Sequence, residues 1–313
     1  MFRKFLILLR LMLSPFFKDR ELVSLHFDKS GQEASDYIRE LLQNDKPVMI
    51  CRFGSTELTA IVNYKLDISF KNALHYVTKK IDSIGYGRNT AENMYQLSGF
   101  FPADKKNLEK FSRLMIEIIP MVDVLGSWRV EEKLFEKELT NTVKVPLPDL
   151  EPYFHLNPWS EVLEGKKVLV IHPFEDSILL QYEKYNLIFE DKRVLPHFHL
   201  ETIKAVQSLG NTPSEFSTWF DALDYMKNEI DKRDFDIAII GCGAYGFPLA
   251  AYVKSIGKKA VHLGGATQML FGIKSKAWED EPKFHYLINE HWVRPKETER
   301  PANYKQVEGG RYW

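Results

Sequence analysis

The chain has 313 residues, 44% of them apolar and 13% aromatic, which suits one sizeable core and is short for two large domains. Lys and Arg number 42 against 43 Asp and Glu, so no global charge draws the chain to nucleic acid. The two cysteines, Cys51 and Cys242, lie in apolar runs and read as free thiols in a reducing compartment, and no Cys/His spacing matches a zinc site.

Met1 to Phe17 carries three cations and no acid. Its apolar run is too short to span a bilayer, is interrupted by Arg10, and lacks the small-residue cleavage site of a signal peptide. A basic apolar helix ending before Pro15 has two readings: it lies in the interface of an anionic leaflet, or it packs on the domain itself. Ser30 to Gln43 has helical spacing, with Ala34, Tyr37, Ile38, Leu41 and Leu42 on one stripe. The apolar run Val48–Cys51 then predicts a buried strand. It breaks at Arg52-Phe53-Gly54 and enters Ser55-Thr56-Glu57, the expected start of a helix to about Tyr64. A strand ending in a Gly turn at a helix N-terminus is where α/β proteins place ligands. Arg52 and Glu57 are costly to bury unpaired, so the stretch is either an ion pair tying down a loop or a binding site.

Helical spacing recurs over Asn72 to Ile84, and Gly85 to Asn93 has the composition of a loop, with Arg88 and Asn89 as polar groups. Asp104 is the expected cap of a helix reaching about Ile119. Met121 to Leu125 is a short strand candidate ending in Gly126-Ser-Trp128, a site wall or a core Trp beside a turn. Val145-Pro-Leu-Pro148 and Glu151-Pro152 read as an extended link between two halves. The second half is clearer. Val168–Ile171 predicts a central parallel strand ending in His172-Pro-Phe-Glu-Asp-Ser177, with polar residues at the start of the next helix. For Asp176 and Ser177 the simple alternative is N-capping, and His172 has the alternative of a satisfied loop histidine. Val194 to Val206 is ambiguous between strand and helix, and Phe216 to Lys232 predicts an amphipathic helix. Asp236 to Ile240, the turn Gly241-Cys-Gly-Ala-Tyr-Gly246, a helix from Pro248, and Lys259 to Leu263 then form a β-α-β crossover ending in Gly264-Gly-Ala-Thr-Gln268. Gly241, Gly243 and Gly246 meet the Gly-x-Gly-x-x-Gly spacing. The acid that a dinucleotide site wants at the end of the next strand is missing near His262, so a NAD site is disfavoured.

The expected architecture is α/β, a Rossmann-like, mostly parallel sheet flanked by helices, with an N-terminal amphipathic helix. Residues 1–20 form the amphipathic segment, 21–290 the Rossmann-like domain, and 291–313 a tail packed on it, whose aromatics beside Arg and Glu suit a sugar.

Arg52-Phe-Gly-Ser-Thr-Glu57 resembles the Arg-Phe-Gly-Asp-Gly-Glu signature of the GT-D fold glycosyltransferases, formerly a domain of unknown function. Val168 to Ser177, Ile239 to Gly246 and His262 to Gly265 are similar to further blocks of that family. The resemblance implies transfer of a sugar from a nucleotide-sugar donor to a glycan or lipid-linked acceptor in bacterial surface polysaccharide assembly. The expected location is cytoplasmic, and the basic apolar residues 1–17 offer a peripheral seat at the inner face of the plasma membrane. In the family an Asp-x-Glu pair engages the donor diphosphate through Mn2+ or Mg2+. The Glu falls on Glu57, but the Asp falls on Ser55, a poor ligand for a hard cation. Either another acid substitutes, metal binding is weaker, or Arg52 and backbone amides carry the diphosphate. The expected donor site comprises Arg52, Gly54, Ser55, Ser177, Gly241, Gly243, Tyr245, Gly246, Gly264, Gly265 and Gln268. Glu57 is the metal or donor contact and Asp176 the candidate base, with His172 as its rival. The alternatives are another Rossmann enzyme, a dehydrogenase or methyltransferase, and a non-catalytic membrane-surface scaffold.

Overall fold

The computed structural model describes residues 2–18 and 24–313, without the side chains of Arg88 and Asn211; the boundary expected at residues 20 and 21 lies outside them. In chain order the elements begin with α1 (Phe2–Leu13), α2 (Gln32–Gln43), β1 (Val48–Cys51), α3 (Ser55–Lys65), α4 (Phe70–Val77), α5 (Arg88–Ser98) and α6 (Lys105–Ile118). Then come β2 (Val124–Ser127), β3 (Val143–Pro146), β4 (Lys167–His172), α7 (Glu175–Tyr182), α8 (Tyr185–Ile188) and β5 (His199–Lys204). The chain continues through α9 (Trp219–Asp231), β6 (Ile237–Ile240), α10 (Gly246–Ser255), β7 (Lys259–His262), α11 (Ala266–Leu270) and α12 (Lys276–Glu279).

All seven strands pair in parallel in the order β3-β2-β1-β7-β6-β4-β5. This is the Rossmann-like α/β architecture that the apolar runs predict. Side chains alternate across the pleat and so separate two cores. Met49, Cys51, Leu169, Ile171, Ala238 and Ile240 face α3, α6, α9 and α10, while Val48, Ile50, Val168, Val170, Ile237 and Ile239 face α2, α7 and α11. Burial on both faces explains why the central strands read as continuous apolar runs. β1 to β3 step outward to one edge, β4 and β5 occupy the other, and β6 and β7 fill the centre. In such open sheets, ligands bind beyond the carboxyl ends of the strands, where the connections diverge.

Four local expectations change. The helix expected over Asn72 to Ile84 ends at Val77, and Lys79 turns the chain with a φ of 59°. The expected loop at Gly85 to Asn93 is the start of α5, which runs Arg88–Ser98 and stops at Gly99 in the left-handed conformation. The expected link at Val145 is edge strand β3, whose Pro146 stands at the strand end, where a missing amide is tolerated. The ambiguous segment 194–206 is resolved as β5, because six residues pair with β4. Elsewhere Asp104 caps α6, its Oδ1 accepting from the Asn107 amide at 2.9 Å. Cys51 and Cys242 are buried free thiols. The tail beyond residue 290 packs on the domain: Trp292 Nε1 donates to the Ile188 carbonyl at 2.9 Å, and Arg294 to that of Trp313 at 2.7 Å.

Candidate functional site

The carboxyl ends of all seven strands open into one cleft of about 480 Å³, within the range of small-molecule sites. β1 contributes Arg52 and Gly54 to Glu57, β2 Trp128, β3 Leu147 and Glu151, and β4 His172 to Phe174. β5 contributes Val206 to Leu209, β6 Gly241 to Tyr245, and β7 His262 to Ala266 with Gln268. Trp278, Glu308, Tyr312 and Trp313 close the remaining side.

Arg52 directly follows β1 and lines this cleft. Its guanidinium stacks on Trp128, 5.0 Å from the ring centroid, and Trp128 is fixed by donating Nε1–H to the Phe53 carbonyl at 3.0 Å. Trp128 is therefore a wall of the site. Among the described residues no hydrogen bond or ion pair engages the Arg52 guanidinium; the tie to Glu57 considered from the sequence is not formed. Burial lowers its pKa from the ordinary value, and Glu57 and Glu151 pull the other way. Glu57 sits at the third position of α3 and folds back over the helix start. A Cβ on Gly54 would stand 1.8 Å from its Oε2, so Gly54 makes room for that carboxylate.

Two more donors in the cleft lining are buried without a partner. Tyr245 is stacked on Trp219 at 4.9 Å, and its hydroxyl has no hydrogen bond. Its neighbour Ser208 donates its own proton to the Gly99 carbonyl at 2.6 Å. Trp313 Nε1 is likewise unpaired. Buried polar groups are normally satisfied, so these two donors are open to a ligand's acceptors; Trp219 Nε1 and Ser275 Oγ, outside the lining, are unpaired as well. The helices α3, α7 and α11 start at the cleft with no side-chain cap, so their first amides have no side-chain partner there.

The two cleft histidines are neutral and of opposite tautomer. His172 Nδ1 accepts from the Phe174 amide at 3.0 Å, which leaves the proton on Nε2. His262 is within 3.1 Å of the Ile240 carbonyl through Nδ1, which therefore carries the proton. Burial pushes both pKa values down to about 3, with Arg52 adding to the effect at His262. Glu151 is the opposite case. Burial pushes its carboxyl up to about 7, against the Tyr153 hydroxyl, which donates to it at 2.5 Å, and against the charges of Lys283 and Arg52; Glu281 adds to the rise.

Of the residues expected from the sequence, Arg52, Gly54, Ser55, Glu57, His172, Gly241, Gly243, Tyr245, Gly264, Gly265 and Gln268 line the cleft. Asp176, Ser177 and Gly246 do not. Asp176 lies in the first turn of α7, where an acid complements the helix dipole. Ser177 fastens the tail: its amide and hydroxyl donate to Glu299, and its hydroxyl accepts from the Lys296 amide at 3.0 Å. Gly246 lies behind the site, where a Cβ would come within 2.1 Å of the His262 ring. Gly241 is also set by packing, since its Cβ would stand 2.6 Å from the Gly264 carbonyl oxygen. Two glycines of the Gly-x-Gly-x-x-Gly spacing thus serve the contact between neighbouring turns, and Gly243 supplies a left-handed residue with a φ of 55°. The side chain of Arg88 lies outside the described residues.

Sequence reasoning missed Glu151 and Trp278 as lining groups, whereas Tyr312 and Trp313 belong to the tail aromatics it offered for a sugar. Glu151 was legible only as part of a Pro-rich link. Its approach to Arg52 depends on β3 folding back beside β2.

At Ser55 and Glu57 the signature stretch offers a hard cation a single carboxylate. Ser55 is exposed and offers a hydroxyl, and no group of three His, Cys, Asp or Glu that could hold a metal occurs among the described residues. No protein family, characterised protein or solved structure gives a significant match to the chain.

Proposed function

We propose that this protein is a glycosyltransferase that uses a nucleoside diphosphate sugar as donor and a glycan or lipid-linked hydroxyl as acceptor, in surface polysaccharide assembly. The observation that carries this reading is the set of unspent donors, Arg52, Tyr245 and Trp313, around one cleft at the sheet's switch point. A diphosphate is rich in acceptors and negative charge, and it matches a guanidinium beside the uncapped N-terminus of α3. Trp128, Trp278 and Tyr312 offer aromatic faces suited to a sugar or a base.

The acceptor hydroxyl attacks the anomeric carbon as the bond from that carbon to the diphosphate breaks. The nucleoside diphosphate leaves with the bonding electrons, and Arg52 stabilises the charge it gains. Glu57, a carboxylate, accepts hydrogen bonds from donor sugar hydroxyls. Glu151 takes the proton of the acceptor hydroxyl, because its pKa near 7 is matched to that task. His172 and His262, held near 3, are too weakly basic, and His172 is a donor through Nε2. Asp176, outside the cleft, has no part in this scheme.

Thermal shift with uridine, guanosine and cytidine diphosphate sugars, against NAD and adenosylmethionine, tests the reading. A nucleoside diphosphate sugar is expected to raise Tm, and to do so equally in chelator. A shift with NAD or adenosylmethionine alone would transfer the site to another Rossmann chemistry. That alternative is disfavoured because β7 ends in His262-Leu263-Gly264, with no acid for a ribose.

Gly54→Ala gives a finer check. Its φ of −72° accommodates alanine, and the atom displaced is the mobile end of Glu57. Stability is expected to stay within about 1 kcal/mol, while donor affinity falls as far as in Glu57→Ala. The double variant should lose no more than either alone.

A further inference from the structure

α1 is turned inside out. Its arginines point into the domain: Arg3 Nε donates to the Ile84 carbonyl at 3.0 Å, and Arg10 donates to those of Tyr76 and Ile81 and pairs with Asp82 at 3.1 Å. Leu6 packs with them against Tyr76, Val77 and Ile84. The outward face is therefore the apolar one, with Phe5, Leu8, Leu11 and Met12 more than half exposed. α4, which packs beside α1, extends it with Phe70, 89% exposed, and Leu74. Of the nineteen large apolar side chains exposed among the described residues, ten lie between Phe2 and Phe17 or between Ile68 and Leu74. Such concentration exceeds the scatter expected of a soluble surface.

The charge around this face selects its occupant. Besides the two inward arginines, residues 2–18 and 66–84 hold five Lys against two Asp, Asp67 and Asp82, and Asp82 is paired with Arg10. Lys4, Lys18, Lys71 and Lys80 are exposed at its margin. An apolar face ringed by cations matches acyl chains under anionic headgroups. No described helix is long and apolar enough to cross a membrane.

We propose that α1 and α4 together form a docking surface for an anionic lipid leaflet, into which Phe5, Leu8, Met12 and Phe70 insert. The two inward arginines hold α1 to the body, so the whole domain is carried to the surface as one piece. This inference stands apart from the sugar chemistry, and its test involves no transfer reaction.

Co-sedimentation of the full chain with vesicles of phosphatidylcholine, with and without 30% phosphatidylglycerol (about a third of the lipid, enough for a strong negative surface potential), decides it. Binding is expected to the anionic vesicles only and to weaken with salt. Leu8→Glu with Met12→Glu, and separately Phe70→Glu on the other helix, are expected to lower the bound fraction at least tenfold. All three positions are exposed, and Tm should be unchanged. Absence of binding to anionic vesicles would overturn the proposal, as would wild-type binding by both variants. A self-association in solution that the same substitutions abolish, without vesicle binding, would assign the face to a second copy instead.

Discussion

Replacing Arg52 by alanine is expected to weaken nucleoside diphosphate sugar binding by about 10²–10⁴-fold while leaving the fold intact. The magnitude follows from two charge-assisted hydrogen bonds to the diphosphate, each about 1.5–3 kcal/mol. The stability expectation follows from what Arg52 does without ligand. It has no hydrogen bond to lose among the described residues, and it gives up only its stack on Trp128, on the order of 0.5–1 kcal/mol at a partly exposed site. Arg52→Lys keeps the charge but neither the planar fork nor the stacking, so it should recover only part of the affinity. Calorimetric titration with the donor that shifts Tm, alongside thermal melts of each variant, provides the check. Unchanged affinity in Arg52→Ala would remove the diphosphate from this part of the cleft.

Glu151→Gln is expected to lower turnover by about 10²–10⁴-fold, the range for loss of a positioned general base. The wild-type rate should rise about tenfold per pH unit up to about 7 and level off above it, because only the carboxylate can take the proton. The variant should be flat across that window. Tyr153→Phe removes a hydrogen bond to the charged form, so it should move the inflection to higher pH without abolishing the rate. Stability runs the other way. The Glu151 pKa is raised on folding from 4.5 to about 7, so the folded state favours the protonated form. Its contribution is fully present below the unfolded pKa and is lost as pH rises through 7. Glu151→Gln should therefore match the wild type near pH 4 and be more stable at pH 8, by on the order of 3 kcal/mol. A pH profile unaltered by Glu151→Gln, with rate retained, would return the role of base to another group.

Local pattern was sufficient for much of this molecule. Val48–Cys51, Val168–Ile171 and Ile237–Ile240 are short apolar runs bounded by polar or glycine turns, and each is a central strand. Asp104 and the apolar stripe behind it identified α6 for the same reason: capping and helical period act over a few residues. Arg52, Glu57, His172 and the Gly241 and Gly264 turns were found because each directly follows one of those strands. Parallel strands bring their carboxyl ends to the same rim.

What local pattern could not supply was partnership over distance. Val143–Pro146 looks like a link until β2 pairs with it, and the Asn- and Gly-rich start of α5 looks like a loop until Met94 is buried in the core. Asp176 and Glu151 exchange standing for the same reason. Asp176 follows a strand end but sits in a helical turn outside the cleft, whereas Glu151, inside a Pro-rich connection, lies across from Arg52 because β3 packs two strands away from β1. For α1, composition determined a basic apolar helix; only its seat against α4 decided that the arginines turn inward and the apolar face outward. The sequence thus determined the strands, their turns and the floor of the cleft, all products of interactions between near neighbours. The tertiary structure alone decided that Glu151 lines the same cleft as Arg52 and which face of α1 meets solvent, because both depend on strand order and helix docking between residues far apart in the chain.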